Sequence, residues 1–173
     1  MKKIVLSAFL AIGLLTMSGC MSGYKDIKVQ SKTSPKVNLE AYKTYTWLAI
    51  ANILVDEKAQ FKGRGYSVND YIQSHINKEL LNSGKTVEKE SPDFVVSYIL
   101  GVDMDAMKEK LDDAGKKQLE NVSQAAIIVM LMDTDTQKVI WLGSAEADIK
   151  QAVSDEESKA RIAYAIKKMF ADF

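Results

Sequence analysis

A chain of 173 residues with 23 basic and 23 acidic side chains carries no formal net charge, which excludes the strongly basic surface that holds nucleic acid. One cysteine excludes an intramolecular disulfide, and one histidine beside it leaves too few ligands for a zinc site. Stability must come from an apolar core, and a chain of this size suits a single domain.

The first predicted element is a secretory signal. Lys2 and Lys3 form a positive n-region, and Ile4 to Leu15 is apolar apart from Ser7 and Gly13. The run is too short for a comfortable transmembrane helix. Leu15-Thr16-Met17-Ser18-Gly19-Cys20 resembles a lipobox, in which a small residue precedes a cysteine that is diacylated and becomes the first residue after cleavage. Met17 stands where that motif usually has leucine. Cleavage there removes residues 1–19 and leaves the mature chain with two more acidic than basic side chains. That balance gives no pull towards anionic lipid, so the acyl chains on Cys20 are the expected hold on the membrane, at roughly 0.8 kcal/mol per buried methylene. Met21 follows the cysteine, where aspartate is the common inner-membrane retention signal. The expected location is therefore the outer membrane facing the periplasm, although surface exposure is equally compatible.

Residues 20–36 read as the lipidated Cys20 followed by a tether or an edge strand, and residues 37–173 as one domain. Ile27 and Val29 alternate weakly, and Ser34-Pro35 turns the chain. If Ile27 and Val29 belong to a strand, the tether is Met21 to Lys25 and reaches roughly 17 Å; if the chain is free as far as Pro35, it reaches roughly 50 Å. Tyr42 to Leu48 is rich in aromatic and β-branched residues and predicts a strand. Ala49 to Phe61 has no clean period, and Lys62-Gly63-Arg64-Gly65 predicts a loop. A helix follows, with Ser67 as N-cap, Val68, Ile72, Ile76 and Leu80 at helical spacing, and Asn82-Ser83-Gly84 as its stop.

Phe94 to Met104 predicts a central strand, because both of its faces carry apolar residues. Met107 to Ser123 is charged and reads as a short helix or a loop. Ala126 to Met132 and Val139 to Ile149 predict two strands of a hairpin joined by Asp133 to Lys138. The last helix starts at Ser154 with Glu157 completing a capping box, and Ile162, Ile166, Met169, Phe170 and Phe173 make its apolar stripe. The expected fold is α+β in the order β-β-α-β-β-β-α. It is a mostly antiparallel sheet of about five strands with two amphipathic helices packed on one face.

Three segments carry a family resemblance. They are Asn38 to Leu48 (NLEAYKTYTWL), Pro92 to Tyr98 (PDFVVSY) and Asp135 to Ala145 (DTQKVIWLGSA), followed by the closing helix. In this order they resemble the domain of unknown function 4136 family of bacterial lipoproteins. Gln137 departs from the pattern, which commonly has glycine in that turn. The resemblance implies a fold and an envelope address, and no catalytic motif.

The residues themselves offer little chemistry. His75 lies beside the apolar stripe of the first helix, and no serine stands in a nucleophile-elbow motif. No phosphate loop is present, because Lys62 to Gly65 lacks the required spacing. Asp103, Asp105, Asp112, Asp113, Asp133 and Asp135 are the carboxylates best placed for a loose calcium site. Counting from Asp133, an EF-hand fails, because Lys138 and Ser144 stand where glycine and glutamate are needed. The alternative is that these acids simply solvate turns. Tyr42, Tyr45, Trp47, Tyr98 and Trp141 all fall in predicted strands and are either core or a binding platform. The expectation is a non-enzymatic accessory or binding module of the cell envelope with no cofactor and no metal, held by N-terminal acyl chains and meeting an envelope protein. The alternative is a carrier or sensor of an apolar ligand such as a lipid.

Overall fold

The computed structural model describes residues 24–55, 61–102, 125–147 and 153–173. Cys20 and the signal segment, the carboxylates Asp103, Asp105, Asp112 and Asp113, and the 107–123 segment lie outside the described residues. Six strands form one sheet: β1 (Ile27–Thr33), β2 (Thr44–Val55), β3 (Thr86–Val87), β4 (Phe94–Val102), β5 (Ala125–Asp133) and β6 (Val139–Ala147). Their spatial order is β1-β6-β5-β4-β2-β3. The helices are α1 (Val68–Asn82) and α2 (Asp155–Met169).

The sheet is mixed, which refines the expectation of a mostly antiparallel one, since three of its five strand pairs are antiparallel. The pairs β1·β6, β6·β5 and β5·β4 are antiparallel, but β2 runs parallel to both β4 and β3. The reason is α1. Parallel neighbours need a crossover long enough to carry the chain back, and the helix between β2 and β4 provides it. The sixth strand, β3, has two residues, too few to show a period. β2 is longer than the expected Tyr42–Leu48 because its register against β4 breaks between Trp47 and Asn52. Extra residues inside a strand destroy the alternation that marks one.

The local signals act as read. Ser67 Oγ accepts from Asp70 N at 3.2 Å, and Ser154 Oγ accepts from Glu157 N at 3.1 Å. Gly84 takes φ 76° after α1, with Lys85 N donating to Leu80 O and Gly84 N donating to Leu81 O, each at 2.9 Å. Those two bonds form a Schellman end, which favours glycine at its left-handed position. Asp155, Glu156 and Glu157 open α2, and Lys167 and Lys168 close it, matching the helix dipole at both ends.

Both helices cover one face of the sheet. Ile72, Ile76 and Leu80 from α1 and Ile166 and Met169 from α2 are fully buried against Phe94, Val96, Tyr98, Val129, Leu131 and Trp141. Gly143 is required by this packing: a Cβ there would collide with the ring of Trp141, its neighbour two residues back on the same face. Phe173 packs at the edge of the core, and its ring meets Trp141 at 5.4 Å, so the closing stripe is docked to the end of the chain.

Candidate functional site

The five aromatic residues do not form a platform. Tyr45, Tyr98 and Trp141 are 2%, 0% and 2% exposed, so they belong to the core, and Tyr42 and Trp47 are only half-buried. The hydroxyls of Tyr45 and Tyr98 and the indole N–H of Trp47 find partners on α1. Asn77 Oδ1 on α1 accepts from Tyr45 OH at 2.8 Å and from Trp47 Nε1 at 3.0 Å. Tyr98 OH donates to Asn69 Oδ1 at 2.9 Å, and burial pushes its hydroxyl pKa up to about 12. These are the partners that buried phenol and indole groups require, and they bolt α1 to the sheet. His75 is likewise structural: its Nδ1 donates to Tyr71 O at 2.9 Å, and its ring lies 4.3 Å from that of Tyr71.

At one end of the sheet the three resembling segments converge. Asp93, just before β4, accepts with Oδ2 from Lys43 N at 2.6 Å and Thr44 N at 2.8 Å, the residues that open β2. Those two backbone donors hold its carboxyl below the usual carboxylate range. Tyr42 OH donates to Asp133 Oδ2 at 2.6 Å, and Asp133 Oδ1 accepts from Thr136 N at 2.6 Å inside the hairpin turn. The bond to the Asp133 carboxylate raises the Tyr42 hydroxyl to about 12, and the same bond lowers the Asp133 carboxyl. Thr134 Oγ1 donates to Pro92 O at 2.6 Å. Beneath lies Lys85, 5% exposed, whose Nζ donates to Leu39 O and Tyr42 O at 2.7 Å each; burial lowers its pKa.

Asp93, Asp133 and Lys85 are all engaged by backbone or a neighbouring side chain, and the arrangement ties β2, β4 and the β5–β6 hairpin together. It gives residues of the resembling segments a structural role. Asp133 serves the turn through Thr136 N, and among the described residues no three metal-ligating side chains come together.

The opposite end holds a cleft. β1 begins there, β6 ends there with Ala147 opposite Ile27, and β5 starts there with Ala125. Its volume is about 110 Å³, and Ile27, Leu100, Ile127, Ala147 and Ile162 make its apolar wall. Two arginines complete it. Arg161 of α2, 9% exposed, grips Asp26 with Nη1 to Oδ1 at 3.2 Å and Nη2 to Oδ2 at 2.6 Å. Arg64 donates with Nη1 to Val153 O at 3.3 Å and to Asp155 Oδ1 at 3.2 Å, while Asp155 Oδ2 accepts from Gly65 N at 2.8 Å. Tyr24 packs against α2, with its ring 5.4 Å from Tyr164 and 5.2 Å from the Arg161 guanidinium.

Sequence reasoning placed an edge strand at Ile27 and Val29 but did not single out this cleft or its arginines. One signal was available: Ser158, Arg161, Ile162 and Ala165 share a helical face, which places an arginine among buried residues. Nothing local marks Asp26 as its partner, 135 residues earlier.

Known structures share the fold. A DUF4136 family protein from Bacteroides thetaiotaomicron is similar at a TM-score of 0.57 and 11% identity, over 84% of this chain and 95% of that one. A PDZ domain protein from Parabacteroides distasonis is similar at a TM-score of 0.50 and 13% identity, over 86% of this chain and 37% of that one. No curated protein matches the sequence. The family model described as Domain of unknown function (DUF4136) matches residues 29–173, from β1 to the last residue of the closing stripe. The chain therefore belongs to the DUF4136 family.

Proposed function

We propose that this protein is a lipid-anchored, non-enzymatic accessory module of the bacterial cell envelope, held at the outer membrane on its periplasmic side and acting on an envelope protein close to the bilayer. The observation that carries the reading is how soon after Cys20 the chain is held to the domain. Asp26 is gripped by Arg161 and Tyr24, four residues after Cys20 in the sequence, packs on Tyr164. Four residues span at most roughly 14 Å, which favours the short tether and keeps an acylated Cys20 beside the tether end of the sheet.

Mass spectrometry of the mature N-terminus, combined with density-gradient fractionation of membranes, tests the proposal. The expected result is an acylated Cys20 in the outer-membrane fraction. An unmodified N-terminus, or co-migration with inner-membrane markers, refutes it.

A further inference from the structure

We infer that the β1 edge of the sheet rests on anionic phospholipid headgroups of the membrane that anchors Cys20, through Lys25, Lys28, Lys32 and Lys36 and, from α2, Lys168. This rests on the lipid-anchored reading and deepens it, by naming the surface that the domain turns to the bilayer. The whole chain has no net charge, but its charges are not spread evenly. From Tyr24 to Leu39 the basic residues are Lys25, Lys28, Lys32 and Lys36, all exposed, and the acidic one is Asp26. Asp26 is already matched by both Nη atoms of Arg161. Glu146 stands opposite Lys28 across the β1·β6 pair, while Lys32 stands opposite Leu142. Among the described residues no carboxylate pairs with Lys25, Lys32 or Lys36. The segment that follows the anchor therefore carries a local positive charge that the overall balance hides.

The geometry gives that charge a direction. β1 is the outermost strand of the described sheet, and its seven residues run roughly 23 Å. Lys28 and Lys32 project from the face away from the helices, because Ile27 and Val29 between them pack on the core. Lys168 comes from the other side. It is exposed and lies about two turns after Arg161 on the same face of α2, and that face borders β1 because Arg161 reaches Asp26. Cations thus flank the edge strand on both sides. At its start Tyr24 and Tyr164 are half-buried with their rings 5.4 Å apart, and tyrosine favours the headgroup level of a bilayer. Four residues separate Tyr24 from Cys20, so the anchor brings this edge to the lipid, whereas β3 at the opposite edge lies five strand spacings away, roughly 24 Å. Each lysine near an anionic surface favours contact by about fivefold. Lysine on an edge strand also deters another strand from pairing there, which leaves the edge open to headgroups.

The full lipidated protein in phospholipid nanodiscs tests this by acetylation of lysine amines, read peptide by peptide in a mass spectrometer. Discs of phosphatidylcholine alone are compared with discs that also carry phosphatidylglycerol. Lys43 and Lys89 are exposed beside β2 and β3 at the opposite edge and serve as internal controls. The expected result is labelling slowed about fivefold or more at Lys25, Lys28, Lys32, Lys36 and Lys168 on the anionic discs, with the controls unchanged. Salt at about 1 M shortens the screening length to about 3 Å and should restore labelling. Lys28→Gln combined with Lys32→Gln removes two exposed cations without touching the core, and should weaken the protection left at Lys25, Lys36 and Lys168. Equal labelling of these lysines on both kinds of disc overturns the inference, because charge then selects nothing. Equal protection in detergent without phospholipid would assign the edge to a second copy and overturn it too. Protein that does not enter the discs overturns the anchor reading and this inference with it, whereas protein that enters with unprotected lysines overturns the inference alone.

Discussion

Replacing Asp93 by alanine tests the junction that the three family segments build. One carboxylate oxygen accepts from two backbone N–H groups, at 2.6 and 2.8 Å, and so fixes the start of β2 against the start of β4. A hydrogen bond to an ionised group contributes about 1.5–3 kcal/mol, and water replaces part of the loss at this partly exposed rim. The expected cost of Asp93→Ala is about 2–3 kcal/mol, a large share of the ~5–15 kcal/mol that holds a domain folded. Urea unfolding followed by the fluorescence of Trp47 and Trp141 measures it. Asp93→Asn keeps a neutral acceptor and should cost less, about 1 kcal/mol.

Acid titration supplies a second reading of the same bond. Because the Lys43 and Thr44 N–H groups lower the Asp93 pKa, the folded protein binds that proton more weakly than the unfolded chain. Unfolding therefore takes up a proton on acidification. The stabilisation is fully present above the ordinary carboxylate value of about 4 and is lost as pH falls through the lower folded value. Asp93→Asn should lose less stability than the wild type between about pH 5 and pH 2. A cost below about 0.5 kcal/mol for Asp93→Ala, or an unchanged acid slope for Asp93→Asn, refutes the reasoning.

Three further substitutions test the packing. Gly143→Ala places a methyl group against the Trp141 ring and crowds Met169 Sδ, so it should lower stability by about 1–3 kcal/mol in thermal unfolding; an unchanged Tm would mean that the ring yields freely. Gln137 sits at φ 57° in the hairpin turn, a left-handed conformation that favours glycine. Gln137→Gly should raise stability by about 0.5–1 kcal/mol, and a loss in urea unfolding would count against strain at that position. Phe170, 6% exposed and 4.7 Å from the Trp141 ring, should cost about 3–5 kcal/mol on replacement by alanine; less than about 1 kcal/mol would mean that the end of α2 contributes no packing.

The sequence by itself determined what depends on neighbours along the chain. Ser67 and Ser154 cap their helices through a side chain and a backbone N–H three residues apart. The spacing of Val68, Ile72, Ile76 and Leu80 marks the buried face of α1, because helical period and burial are both local properties. Gln137 was legible only as a departure from a glycine in the turn pattern, and its left-handed φ of 57° is seen in the structure. Tertiary structure decided everything that depends on pairing. Strand period reports which face of a strand is buried but not which strand lies beside it, so the parallel β2·β4 pair and the two-residue β3 were not readable. The aromatic residues of the strands were legible as core or platform, and only the arrival of α1 and α2 on their face makes Tyr45, Tyr98 and Trp141 core. The cleft is the extreme case. Arg161 and Asp26 stand 135 residues apart, and each alone reads as an ordinary surface charge. They become a partly buried pair because β1 pairs with β6 beneath α2, and that pairing is a sum of many weak contacts that no short window of sequence contains.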